Sequence, residues 1–339
     1  MGSDKSKTKD EARGEVEAFQ KDVGRLREEV GKVIVGHREV VDGVITCMLA
    51  SSHALLEGVP GLGKTMLVRT IAEAVQLVFS RIQFTPDMMP ADIQGTMILV
   101  ESAGGAHKLE FQEGPLVANL VLADEINRAT PKTQSALLEA MQEKQITVGR
   151  RTIPLAEPYC VMATQNPVEQ EGTYPLPEAQ LDRFLFKLVV GYPKETEYHQ
   201  ILNRTTGVAS DAVTKVSSGP EILEMRSIVR SVPVPEQAQA YAVRLVMATQ
   251  PKSEYAPKLV NEMVALGSSP RGAQALLLGA KVRTLLAGRF AVGAEDIASV
   301  APAVLRHRVM LGFRAHSEGV TAEDVVRAVL GAVRPEAVS

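Results

Sequence analysis

The stretch LEGVPGLGKTML, residues 56–67, sets three glycines and a proline between two apolar runs and ends on a lysine, a threonine and two more apolar residues. Glycine reaches backbone angles closed to other residues and lets a ligand come close to the main chain. Gly58, Gly61 and Gly63, with Lys64 and Thr65, contain the pattern Gly-x-x-x-x-Gly-Lys-Thr, whose inward-pointing amides surround an anion. The preceding run, HALLE (53–57), is short, apolar and bounded by Gly58, which suits a strand. The following run, TMLVRTIAEAV (65–75), puts Leu67, Ile71, Ala74 and Val75 on one side of a helix. That order brings the helix N-terminus and its dipole to the same anion. A glycine-rich turn is the plainer reading, but the full eight-residue pattern in this context reads as a nucleotide site. Its candidate residues are Gly58, Val59, Pro60, Gly61, Leu62, Gly63, Lys64, Thr65 and Met66, with Lys64 on the β- and γ-phosphates and Thr65 on Mg2+.

With 339 residues the chain has room for two domains and an ample core. Its net charge of −3, from 37 basic and 40 acidic residues, gives no global basic field for nucleic acid. Cys47 and Cys160 sit in the apolar stretches VITCMLA and YCVMATQ without metal-ligand spacing, as expected of buried free thiols in a reducing cytosol. No signal peptide or spanning segment is read, and a cytoplasmic location is expected. Residues 1–10, polar and charged, are expected to form a disordered tail.

Val16, Phe19, Val23, Leu26 and Val30 recur three and four apart, so an amphipathic helix is expected over 11–30, and a second over about 38–51. LVFSRIQF (77–84) alternates as a strand, while NLVLADE (119–125) and CVMATQN (160–166) are apolar runs closed by polar residues. Such runs suit buried strands of a parallel sheet, where ligand-binding groups gather at the carboxyl ends. PKTQSALLEAMQE reads as a helix, and QITVGRRTIPL (145–155) as a hairpin turning near Gly149-Arg150. Beyond VGYPKE the segments are mostly helical, interrupted by SSGP, SVPVPE and GSSPRG, which places the domain boundary at Tyr192-Pro193. An α/β core over 11–193 followed by a helical domain over 194–339 results. At the end of its strand, Asp124 can hold Mg2+ through water, and Glu125 can act as general base on an attacking water. A solvated acidic pair is the alternative. Asn166 ends the next predicted strand at the same edge, where its amide can position the water and sense the γ-phosphate; an Asn-Pro turn is the alternative there.

Taken in order, Gly58–Thr65, LADEINRA, ALLEAMQE, ATQNP, LPEAQLDRF and SSPRGAQALL resemble the MoxR family of AAA+ ATPases, from about Val33 to about Leu330. The resemblance implies a P-loop core of parallel sheet flanked by helices, a smaller all-helical lid, Mg2+-dependent ATP hydrolysis and a homo-oligomeric, usually hexameric, ring. It also implies an insert in the second helix, at about 95–111, and a hairpin before the sensor strand, at 145–155, both facing the pore or a partner. Arg183 in EAQLDRF matches the family's arginine finger, which completes a neighbour's site; the residues alone favour a local Asp182–Arg183 pair. Arg271 in SSPRG matches the second sensor, and a cation in a helix's first turn opposes the dipole unless an anion is near. Arg128 is a candidate interface contact, and His37, near the adenine pocket by resemblance or simply solvent-facing, is left unassigned.

Three functions compete. A protein-remodelling ATPase ring is expected to leave substrate selection to a partner, which the resemblance gives as a von Willebrand factor A-domain protein. A DNA-associated motor of the same hairpin-bearing clade gains support from Lys144, Arg150 and Arg151, against an acidic balance and only 4% aromatic residues. A nucleotide-gated switch lacks an Asn-Lys-x-Asp guanine motif after the loop, and Glu125 argues for hydrolysis. The first reading is favoured.

Overall fold

The computed structural model describes residues 9–101, 107–167, 172–206 and 212–335. The chain divides into two compact units, one over Glu28–Leu223 and one joining residues 9–27 to the chain from Glu224 onward. This differs from the boundary expected at 193/194. Residues 194–206 and 212–223 stay with the core because their partners are there: Arg204 donates to the Gly31 and Lys32 carbonyls at 2.9 and 2.7 Å, and the Val216 amide donates to Ala74 O at 2.8 Å. Lys9 and Asp10, expected in the tail, open the first helix; residues 1–8 lie outside the described residues.

In chain order the core unit carries the end of α1 (Lys9–Val33), then α2 (Arg38–Leu49), β1 (Ala54–Glu57), α3 (Lys64–Ala74), β2 (Phe79–Gln83), α4 (Pro90–Gln94), β3 (Gly95–Glu101) and β4 (His107–Glu113). It continues with β5 (Leu120–Asp124), α5 (Pro131–Glu143), β6 (Gln145–Val148), β7 (Arg151–Pro154), β8 (Cys160–Gln165), α6 (Glu178–Leu181), β9 (Phe186–Val189) and α7 (Glu195–Thr206). Five strands form a parallel sheet in the order β2-β5-β8-β1-β9. Every residue of β5 is buried, and so are the first five of β8. Both faces of these strands are covered, which is why their sequences run apolar without alternation. On one face Leu55, Ile82, Val121, Ala123, Val161 and Ala163 pack with Leu137, Leu138 and Met141 of α5. Burying one such Leu or Val side chain is worth roughly 1.5–3 kcal/mol. α2 packs on β1, β8 and β9, and α3 on β2 and β5.

The two expected insertions are both antiparallel hairpins. β3 pairs with β4 from Gly95↔Glu113 to Glu101↔His107, so this hairpin runs past the expected end at 111; residues 102–106 lie outside the described residues. β6 pairs with β7 and turns at Gly149-Arg150, as the sequence predicts.

The second unit holds α8 (Gly219–Ser231, from Glu224), α9 (Glu236–Ala248), α10 (Lys258–Met263), β10 (Val264–Leu266), α11 (Pro270–Leu286), α12 (Ala294–Leu305), β11 (Met310–Leu311), α13 (Phe313–Glu318) and α14 (Ala322–Ala332). It is helical save for the short β10–β11 ribbon. Ser269 caps α11 by accepting from the Arg271 amide at 3.1 Å, with Pro270 in the first turn. Asp296, buried on α12, accepts from Thr284 Oγ1 of α11 at 2.8 Å and pairs with Arg289.

Candidate active site

Register builds the site from the sheet upward. Gln83 of β2 lies opposite Asp124 of β5, Arg81 opposite Leu122, Leu122 opposite Met162 of β8, and Thr164 opposite Leu56 of β1. Side chains registered across parallel strands share a face. Arg81, Gln83, Asp124 and Thr164 therefore project together at the carboxyl edge, on the face opposite the Ile82–Ala123–Ala163–Leu55 row. β8 lies between the strand that feeds the glycine loop and the strand that ends in Asp124, which brings Asn166 to the same edge.

The loop itself follows from its glycines. Gly61 and Gly63 take φ of 84° and 77°, in the left-handed region. A Cβ on Gly58 would stand 2.5 Å from the Val190 carbonyl oxygen, so the end of β9 leaves room only for glycine. Lys64 opens α3 and donates from Nζ to the carbonyls of Gly58 (2.6 Å) and Val59 (2.9 Å). Burial holds its pKa below the usual lysine value, opposed by the charges of Asp124 and Glu125.

Asp124 is buried, and both its oxygens are engaged. Oδ1 accepts from Thr164 Oγ1 at 2.6 Å; Oδ2 accepts from Arg81 Nη2 at 2.6 Å and Nε at 3.1 Å. Glu125 sits at φ 58°, ψ 49°, an uncommon conformation for a residue with a side chain, and its amide donates to Thr164 Oγ1 at 2.9 Å. Its Oε2 accepts from Gln83 Nε2 at 2.9 Å and pairs with Arg128 Nε at 3.1 Å. Arg128, read from sequence as a candidate interface contact, thus holds Glu125 within the same chain.

A cleft of about 700 Å³ is lined by Pro60–Met66, Arg81, Gln83, Asp124, Glu125, Thr164 and Asn166. A smaller apolar cleft of about 310 Å³ shares Gly61–Lys64 and Met66 with it and adds Val35, His37, Val40, Tyr198 and Ile201. Together they have the form of a phosphate site joined to a pocket for a flat base. The sequence reading brought Lys64, Thr65, Asp124, Glu125 and Asn166 to this place. It missed Arg81, Gln83 and Thr164, whose signal was only that polar residues end two predicted strands, and it left His37 unassigned. Arg183 lines a different cleft, with Ser135, Glu139, Gln142, Glu143 and Gln180. Arg271 belongs to the helical unit, in the first turn of α11.

A glycine-rich phosphate loop beside a paired Asp-Glu at a strand end is equipped to bind a nucleoside triphosphate and activate water against it. The comparisons agree. Residues 53–186 match the family described as "ATPase family associated with various cellular activities (AAA)", and residues 256–329 match an AAA lid domain. The chain is 44% identical to the protein named Chaperone MoxR1 of Mycobacterium tuberculosis, over 90% of this chain and 80% of that one. It is 43% identical to the uncharacterized protein YeaC of Bacillus subtilis, over 94% and 97%. A crystal structure of a candidate ATPase from Cytophaga hutchinsonii superposes with a TM-score of 0.89 at 39% identity, covering 96% of this chain and 98% of that one. With its loop, its strand-end carboxylates and relatives of this closeness along nearly its whole length, the chain belongs to the MoxR family of AAA+ ATPases and is an ATP-hydrolysing enzyme.

Proposed function

We propose that this ATPase works as a Mg2+-dependent homo-oligomeric ring, hexameric as the family resemblance implies, that remodels protein substrates as a chaperone does. The name of the mycobacterial relative supports the chaperone role. A von Willebrand factor A-domain partner is proposed on the family resemblance alone. The observation that carries the ring is the separation of Arg183 from the phosphate cleft of its own chain. A guanidinium in another cleft serves a phosphoryl group only when a neighbouring subunit presents one.

Within one subunit, the loop amides and Lys64 would hold the phosphates, and Asn166 would orient the attacking water. Glu125 would take its proton. Thr65 and Asp124 supply the hard oxygen donors that suit Mg2+; among the described residues no group of three His, Cys, Asp or Glu forms a metal cage. A cation held there would neutralise charge developing on the phosphates. Arg271 keeps the second-sensor role that the resemblance gives it.

Mixing two inactive variants tests the ring. Arg183→Ala should bind ATP nearly normally and lose most hydrolysis, since arginine fingers contribute about 10³- to 10⁵-fold elsewhere. Lys64→Ala should lose nucleotide binding. A mixed ring pairs an intact loop from the first with an intact finger from the second, so mixing should restore part of the ATPase activity. A mixture that stays inactive while labelled subunits exchange would remove the trans assignment.

The DNA-motor reading keeps one favourable observation: Arg150 and Arg151 are exposed at the β6–β7 turn. Lys144 does not add to it, because its ammonium is tied to Ser51 Oγ at 3.1 Å and to the Glu157 carboxylate.

A further inference from the structure

Asp124 is one of two buried carboxylates among the described residues, and a buried charge needs compensation from its surroundings. Arg81 supplies it from the neighbouring strand. Its Nη2 and Nε both donate to Oδ2, at 2.6 and 3.1 Å, while Thr164 donates to Oδ1 at 2.6 Å. A carboxylate oxygen that accepts two N–H groups has spent its acceptor capacity. The Arg81 side chain is also 45% exposed and lines the phosphate cleft, so it has room to leave. Lys64 faces both Asp124 and Glu125, and Arg128 pairs with Glu125, so a divalent cation added there meets three positive side chains. Arg81 is the one that directly occupies an oxygen of Asp124.

We infer that Arg81 competes with the divalent cation for the Asp124 carboxylate, so that metal–nucleotide loading has to break the Arg81–Asp124 pair. Arg81 is then a positioning residue that sets metal affinity: it holds the Asp124 carboxylate in place without metal, and gives way when a cation arrives. Its Nη2 also donates to Gln83 Oε1, and Gln83 Nε2 donates to Glu125 Oε2. Release of Arg81 therefore removes a donor from the side chain that holds Glu125. The inference rests on the assignment of Mg2+ to Asp124 proposed above.

The test is a Mn2+ titration of the full chain carrying one equivalent of ADP, followed by the paramagnetic resonance signal of free Mn2+. Arg81→Ala should lower the half-saturating Mn2+ concentration roughly tenfold, the equivalent of one charge-assisted hydrogen bond no longer competing. Arg81→Lys keeps the charge without the planar fork and should give a smaller fall. In an Asp124→Asn background, Arg81→Ala should change nothing. A purely structural role predicts the opposite sign, because loss of a supporting contact weakens a metal site. If Arg81→Ala fails to fold by thermal melting, Arg81→Gln, which removes the charge and keeps a hydrogen-bonding end, decides in its place. Unchanged or weaker Mn2+ binding in a folded variant, with Asp124→Asn still weakening it, overturns the inference alone. If Asp124→Asn leaves Mn2+ binding intact, the metal assignment fails and the inference falls with it.

Discussion

Glu125 occupies a backbone conformation that costs a side-chain-bearing residue on the order of 1–3 kcal/mol, and its neighbours hold it there. Thr164 is central to that restraint, because one hydroxyl donates to Asp124 and accepts from the Glu125 amide. Thr164→Val keeps the shape and leaves both partners short of a hydrogen bond in a buried place. We expect a loss of about 1–3 kcal/mol in denaturant unfolding, together with slower ATP hydrolysis. Unchanged stability and turnover would show that the hydroxyl is dispensable. Glu125→Gln separates binding from chemistry: the amide keeps the side chain's shape but cannot take a proton. The variant should retain ATP, measured with a fluorescent analogue, and hydrolyse it very slowly, whereas Lys64→Ala should lose affinity. Equal loss of binding in both would mean that Glu125 holds nucleotide instead of activating water.

At the scale of elements, α11 and α12 are joined through one buried carboxylate. Asp296 accepts from Thr284 Oγ1, from the Gly293 amide at 3.0 Å, and pairs with Arg289. Asp296→Ala leaves Thr284 Oγ1 and the Gly293 amide without their acceptor, while Arg289 keeps Glu295, and should cost the chain about 1–3 kcal/mol, seen as an early unfolding transition. A melting curve like that of the wild type would rule this joint out as a major contributor. The β6–β7 hairpin makes a functional forecast. If the chain remodels protein, DNA should leave its ATPase rate unchanged at moderate salt. A several-fold stimulation, abolished by Arg150→Ala with Arg151→Ala, would favour the DNA motor instead. Ionic strength has to be fixed in that comparison, because phosphate contacts weaken steeply with salt.

For the whole molecule, slow hydrolysis and subunit contact should be coupled. If a neighbour supplies the finger, as proposed, ATP favours the assembled state, since a ligand that binds one state better shifts the population toward it. Glu125→Gln with ATP should therefore sediment as a ring, and Lys64→Ala under the same conditions should remain smaller. Identical sedimentation of the two would uncouple assembly from nucleotide. Copurification from native cells would identify the partner, and absence of any von Willebrand factor A-domain protein would count against that assignment.

The sequence by itself determined the parts whose chemistry is local. The Gly58–Thr65 loop is legible because its turn angles, its lysine and its helix start lie within eight residues. Asp124, Glu125 and Asn166 are legible because each closes an apolar strand, and parallel strands carry their ligand groups at that end. Tertiary structure decided the rest. Strand pairing is a long-range choice that local periodicity does not contain, so only the β2-β5-β8-β1-β9 order sets Arg81 against Asp124 and Gln83 against Glu125. The division of the chain was hidden for the same reason. The segments beyond VGYPKE read as mostly helical, but whether the helix over Glu195–Thr206 serves the core or the lid depends on partners such as the Gly31 and Lys32 carbonyls, more than 170 residues away.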